Sequence, residues 1–372
     1  MTIDSAMKAI IDGFEFSGTL QGVEEIKTGH INSTYRLTFA QPDGTLREYV
    51  LQHINSVAFK KPDEVMENVQ LVTEHLRQAM LEKGENPENR VLRVVPVRGG
   101  GILLLDANGG SWRAYDFIVN AESRDQAESP AQFGEVGRAF GHFQNMLADF
   151  PIARLHETIP DFHDTRKREA AFEVSVAKAD PARAAQAAGE IAFVRARKDA
   201  MCRIVDMIEA GELPLRVTHN DTKINNVMLD RDTGEALCVI DLDTVMAGSA
   251  LYDFGDAIRF GASTAVEDER DLSRVALDID LFRGFAEGFI AETARGLTEA
   301  ELLNLPLGAL VMTYEVGMRF LTDYLDGDVY FRTAYPDHNL VRARCQFKLL
   351  SDMERRRGEM DAIVRELIEK YR

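Results

Sequence analysis

Within residues 216–243, which read RVTHNDTKINNVMLDRDTGEALCVIDLD, two side-chain carboxylates and an amide recur at spacings that suit phosphoryl transfer. Such a reaction depends mostly on positioning and charge neutralisation. One carboxylate must orient or accept the proton of an attacking hydroxyl, and an Asp with an Asn must hold Mg²⁺ against the phosphates of ATP through oxygen ligands. Asp221 fits the base; Asn226, five residues on, and Asp241 fit the metal pair. An exposed hairpin with Asp and Asn in its turns is the plainer alternative. It leaves unexplained an Asp at the end of a β-branched run, where strand propensity disfavours it.

The flanking elements place these residues together. An apolar run, 215–218, delivers His219-Asn220-Asp221; a strand at 227–229, a polar turn through Gly234 and a second strand at 237–240 carry Asn226 and Asp241 at the two ends of one hairpin. The order matches the catalytic loop and metal-binding Asp of kinase-like folds. Asp243 is a candidate supporting carboxylate or extra metal contact, and Asp253 and Asp256 are expected to cap a helix and brace the site through hydrogen bonds.

Residues 1–118 read as a small strand-rich lobe. Strands at 22–28, 34–39 and 47–53 are separated by a Gly-containing turn at 28–33, able to lay backbone N–H groups over phosphates, and a turn at 42–44. Kinase-like folds carry a Lys on the third strand, paired with a helix Glu; here Gln52 stands in the matching stretch. Lys60, Lys61 and Arg47 are candidate substitutes, although solvated surface charge is the simpler account of each. A helix follows over 62–83, with Glu67 or Glu74 as a possible helix acid, then three strands at 90–97, 102–105 and 112–119. The polar stretch 119–129 is the expected hinge, and the backbone from Tyr115 through Phe117 to Ile118 is where an adenine edge would pair.

The helical remainder, 130–372, opens with Ser129-Pro130 as N-cap and first helical residue, followed by an apolar stripe of Phe133, Val136, Phe140, Phe143 and Leu147. His163-Asp164-Thr165 reads as a helix start, and 166–211 shows no evident chemistry. Between 308 and 325, Glu315, Arg319 and Asp323 recur every four residues inside an otherwise apolar helix. A solvated salt-bridge ladder is one reading. A charged stripe facing a cleft is the other, suited to the hydroxyls of a neutral polyol.

THNDTKINN and IDLDTVMAGSALYDFGDAIRFGAS, with GHINSTYRL near the start and GMRFLTDYLDGDVYF and YPDHNLVRAR near the end, resemble the aminoglycoside phosphotransferase/choline kinase superfamily over nearly the whole chain. Within it the likeness is to the N-acetylhexosamine 1-kinases, which also share Gln52. The resemblance implies an α+β, bilobal protein-kinase-like fold with a small antiparallel-sheet N-lobe and a mostly helical C-lobe. It implies phosphate contacts from Gly29, Asn32 and Gln52, and sugar contacts from His30, Arg319 and Tyr330, with Phe260 lining the same pocket. The reaction it implies is transfer from ATP to the anomeric hydroxyl of N-acetylglucosamine or N-acetylgalactosamine. Other small alcohols (choline, homoserine, methylthioribose, an aminoglycoside) and a catalytically silent binding module are the alternatives, the last kept open by Gln52.

With 372 residues and 45% hydrophobic content the chain can bury a large core. Its net charge of −18 argues against nucleic-acid and anionic-membrane partners. No signal-like N-terminus or long apolar run is present, and Cys202, Cys238 and Cys345 have no metal-like spacing. These features predict a cytoplasmic protein whose partners are ATP and a small sugar, with no protein partner indicated.

Overall fold

The computed structural model describes residues 4–26, 32–56 and 58–372. Five strands, β1 Thr19–Ile26, β2 Ser33–Ala40, β3 Leu46–His53, β4 Leu104–Leu105 and β5 Ser111–Asp116, form an antiparallel sheet in the order β1-β2-β3-β5-β4. Period-two alternation splits the side chains between two cores. Leu37, Phe39, Tyr49, Leu51 and Ala114 pack on the short N-terminal helix Ser5–Asp12 and on Phe14 and Phe16. Val50 and Tyr115 face the other way, onto Val65, Val69 and Val72 of the helix Pro62–Glu82.

The expected strands at 90–97 and 102–105 shrink to single bridges, Phe14 with Val97 and Val94 with Tyr115, and to the two residues of β4. Pro96 lacks a ladder donor, and Gly99, Gly100 and Gly101 all have positive φ (89°, 106° and 92°), so the run turns away from the sheet.

The rest is mainly helical. The central helix Leu305–Asp326 is buried along nearly its whole length, flanked by Ala250–Gly261 and His338–Arg355. Two crossings depend on glycine. A Cβ at Gly255 would run into the Gly308 carbonyl, and one at Gly288, on the helix Ile279–Thr293, into that of Gly134 on Pro130–Met146. Small strands complete this lobe: β6 Ala121–Glu122, β7 Arg216–Thr218, β8 Val227–Asp230, β9 Ala236–Val239 and β10 Met246–Gly248. β6, β8 and β9 form one sheet in that order; β7 pairs with β10. Among the described residues, no helix is long and apolar enough to cross a membrane.

Candidate active site

β7 and β10 run antiparallel with Thr218 opposite Met246, so the segments 219–223 and 241–245 leave the pair side by side. The β8–β9 hairpin closes the base, where the Ile240 N–H donates to the Asn226 carbonyl at 2.9 Å. Asp221, Asn226 and Asp241 converge here.

The loop is held on every side. Asn220 adopts the left-handed region (φ 63°), and its side-chain amide donates to the Thr244 carbonyl at 2.9 Å. The buried Asp253 carboxylate accepts the backbone N–H groups of His219 and Asn220 at 2.9 and 2.7 Å. His219 accepts the Asp221 N–H at Nδ1, so Nε2 donates to the Ile240 carbonyl, 2.9 Å away. Asp253 therefore braces the loop, but the expected cap is made instead by Ser249, which accepts the Leu251 N–H; Asp256 pairs with Arg259 at 2.8 Å.

The Asn226 amide donates to the Asp221 carbonyl (2.8 Å) and carboxylate (3.2 Å), and the Lys223 ammonium lies 2.7 Å from the other carboxylate oxygen. Burial opposes charge on Asp221, but Lys223 outweighs it and holds the pKa below the usual carboxylate value. Lys223 had no role in the sequence reading. Its position two residues after Asp221 in the same motif was the available signal.

Asp241 also has left-handed backbone (φ 59°) and sits at an accessible surface of a crowded cleft. The protein packed around it, then Asp243 and Asp221, push its pKa up to about 6. No hydrogen bond or ion pair from a described residue reaches its carboxylate. Carboxylate and amide oxygens are the hard donors Mg²⁺ takes, and a cation would relieve the mutual repulsion of these acids, so the residues fit that metal. Among the described residues no cluster of three or more His, Cys, Asp or Glu suited to a metal occurs. Mg²⁺ bound by two protein groups plus phosphates and water needs none.

On the sheet side, Gln52 does not stand alone. Arg113, directly across from it on β5, donates from Nε to the Gln52 side-chain amide oxygen Oε1 at 2.9 Å. Both of its Nη groups reach the Asp243 carboxylate, the Nη2 contact at 2.9 Å. Asn32 donates to the same carboxylate at 2.8 Å and accepts the Asn55 N–H at 3.0 Å. The candidates Lys61 and Arg47 are engaged elsewhere, with Glu64 (2.7 Å) and Asp116 (3.1 Å). Glu67 and Glu74 bond to His156 and Gln70, not to the sheet. Tyr115 pairs with Val50 on one side and Val94 on the other, and the Phe117 N–H donates to Glu48. Among the described residues no backbone hydrogen bond reaches Ile118 or Val119, so the free edge falls at the end of the stretch named from sequence and one residue past it.

On the opposite side, the Glu315–Arg319–Asp323 ladder, one of the two readings of that stripe, does not form. Glu315 pairs with the buried His163 at 2.8 Å, and His163 reaches the Asn220 carbonyl at 3.4 Å. Asp323 instead accepts the N–H groups of Val329, Tyr330 and Phe331. Arg319 lies over the rings of Phe162 (5.3 Å) and Phe331 (5.6 Å), with no hydrogen bond to a described residue. Arg168 lies close by; burial, then the Arg319 charge, lower its pKa. Tyr330 is exposed, its ring against Phe331, while Phe260 carries Arg259 on its ring and makes no ring contact with Arg319. Asp164 does cap its helix, accepting the Lys167 N–H. Gly29 and His30 lie outside the described residues.

Two lobes with an Asp-Asn-Asp constellation between them define a kinase-like phosphotransferase. Residues 22–291 match the phosphotransferase enzyme family, and the chain belongs to it: a kinase of small molecules whose family uses ATP with a divalent metal. Among solved structures, a microcompartment-associated aminopropanol kinase aligns at TM-score 0.61 and 15% identity over 95% of this chain and 97% of its own. Amicoumacin kinase in complex with AMP-PNP, Ca²⁺ and amicoumacin gives 0.57 and 15% over 93% of both chains. Choline kinase from Cryptosporidium parvum gives 0.55 and 13%, again over 93% of both. At these identities they show the fold alone.

Proposed function

We propose that the chain transfers the γ-phosphoryl group of ATP to the anomeric hydroxyl of an N-acetylhexosamine, giving the sugar 1-phosphate. Asp221, held by Lys223 and Asn226, orients the acceptor hydroxyl and takes its proton. Asn226 and Asp241 hold Mg²⁺, which when bound neutralises charge on the phosphate oxygens. Ile118 and Val119 offer backbone groups to adenine, and the segment 28–33 is proposed to cover the phosphates through backbone N–H groups, since the Asn32 side chain is engaged by Asp243 and Asn55. Residues 1–118, 119–129 and 130–372 act as nucleotide-covering lobe, linker and acceptor lobe. The left-handed Asn120 (φ 53°) at the linker's start supports that division.

The observation that carries the acceptor class is Arg319. Its guanidinium lies over the rings of Phe162 and Phe331, makes no hydrogen bond to a described residue, and is close enough to Arg168 to lower its pKa. Two guanidiniums repel the ammonium groups of choline, aminopropanol or aminoglycosides, while the free donors of Arg319 suit hydroxyl and N-acetyl oxygens.

ADP release with ATP and Mg²⁺ over N-acetylglucosamine, N-acetylgalactosamine, glucose, choline, homoserine and kanamycin tests this, with Asp221→Asn as control. Turnover confined to the N-acetylhexosamines and lost in the variant is the expected result. Turnover only with the amines keeps the kinase and sinks the acceptor.

A further inference from the structure

The lysine–glutamate pair of kinase-like folds joins the third strand to a helix of the small lobe. Both partners are missing here: Gln52 replaces the lysine, and the helix Pro62–Glu82 turns Met66 toward the sheet, 3.8 Å from Arg113 Nη1. Yet a buried ion pair exists nearby. Arg113 sits one strand over, in register with Gln52, and its acid is Asp243, in the turn after Asp241. Only 1% of the Arg113 side chain and 4% of that of Asp243 are exposed, so neither is a surface charge.

The surrounding hydrogen bonds give the pair a direction. Thr34 accepts from the Gln52 amide (3.1 Å), Gln52 accepts from Arg113, Arg113 forks onto Asp243, and Asn32, just before β2, pins the same carboxylate. The network therefore runs from three strands of the small lobe into the turn Leu242–Thr244, which Asp241 immediately precedes. Asn68 of the helix Pro62–Glu82 ties the far end of that turn, donating to the Val245 carbonyl at 3.0 Å.

We propose that Arg113 is the positioning residue that replaces the third-strand lysine, fixing Asp243 and thereby the Asp241 carboxylate in the orientation a nucleotide-bound Mg²⁺ requires. With its Nε and both Nη groups engaged, Arg113 acts through Asp243 and not on the phosphates. The usual pair has moved, cation by one strand and acid from helix to turn. This inference rests on the kinase reading above and is independent of the acceptor.

Calorimetric titration of ADP into the full-length protein, with Mg²⁺ and with EDTA, tests it without any sugar. In Arg113→Lys, which leaves Asp243 a cationic partner, and in Arg113→Met, the affinity for ADP with Mg²⁺ is expected to fall at least about tenfold, while the EDTA value stays within about threefold. Circular dichroism melts without ligand identify variants that fail to fold; Arg113→Lys keeps the test available if Arg113→Met is one. A folded variant that binds Mg²⁺ and ADP within twofold of wild type overturns the proposal, as does an equal loss with and without Mg²⁺. Failure of the hexosamine reading leaves the ADP titration untouched, and turnover surviving Asp221→Asn would remove Asp221 as the base without touching the role of Arg113.

Discussion

Asp253→Asn probes whether the catalytic loop is held by the carboxylate beneath it. The two Asp253 oxygens accept the N–H groups of His219 and Asn220 at 2.9 and 2.7 Å, and only 3% of the residue is exposed. In the amide one oxygen becomes an NH₂ facing a backbone N–H. Losing one hydrogen bond to a charged acceptor in a buried site costs about 2–3 kcal/mol. If the loop stays in place, stability takes that loss, and the melting temperature falls by about 3–4 °C for a chain of this size. If instead Asn220 leaves its left-handed conformation, Asp221 moves with it, and kcat falls roughly 30- to 150-fold. Differential scanning calorimetry and steady-state ADP release, measured on the same preparation, share the loss between them. A variant with kcat within about threefold and a melting temperature within about 1 °C of wild type would refute the bracing role.

Glu315→Gln breaks a fully buried pair with His163 and is expected to destabilise by about 3–5 kcal/mol in urea unfolding at pH 7. Burial opposes its charge, but His163, Arg319 and Arg168 leave the Glu315 pKa below its ordinary value. Its stabilisation is thus present above the unfolded carboxylate pKa and lost as pH falls through the folded one; the gap between wild type and variant should shrink below about pH 4.5, and a gap that widens there contradicts the assignment. Gly255→Ala drives a Cβ into the Gly308 carbonyl and Met312, so about 1–3 kcal/mol of stability should be lost with little change in KM; a neutral result would mean the helices separate freely. Burial pushes the thiols of Cys202 and Cys238 up to about 12 and of Cys345 up to about 11. None should react with Ellman's reagent in the native protein at pH 8, and all three should in urea; rapid native labelling of any one contradicts its burial.

Those residues differ in how far the sequence announced them. Asp221, Asn226 and Asp241 were legible because a hairpin places them by local spacing alone, and the strand-rich start and helical remainder followed from periodicity. Arg113 was not. Its importance comes from strand register, which sets it opposite Gln52 across 61 residues of sequence, and from a turn 130 residues downstream that delivers Asp243. An alternating strand with an Arg in it reads as an ordinary edge when the neighbouring strand is unknown. The same holds for Glu315: helical spacing at i, i+4 suggested Arg319 as its partner, and the tertiary fold supplied His163 instead. The failed strand at 90–97 was foreseeable, since Pro96 and three glycines were in view.

Two arginines on opposite sides of the hairpin show why a site can be read by satisfaction of its donors. Arg113 is buried, with Nε and both Nη groups engaged by Gln52 and Asp243, and a side chain in that state holds structure. Arg319 lies near the rings of Phe162 and Phe331 and makes no hydrogen bond to a described residue, which the proposed acceptor contact requires. The contrast predicts separable kinetics. Arg319→Met should raise the acceptor KM at least about tenfold, since two or more hydrogen bonds of about 1 kcal/mol each are lost, and leave the ATP KM within about twofold. Arg319→Lys keeps the charge but not the planar fork over Phe162 and Phe331, and should recover only part of the loss. If Arg319→Met instead altered the ATP KM and spared the acceptor, the guanidinium would belong to the nucleotide side, and the case for a neutral, oxygen-rich acceptor would go with it.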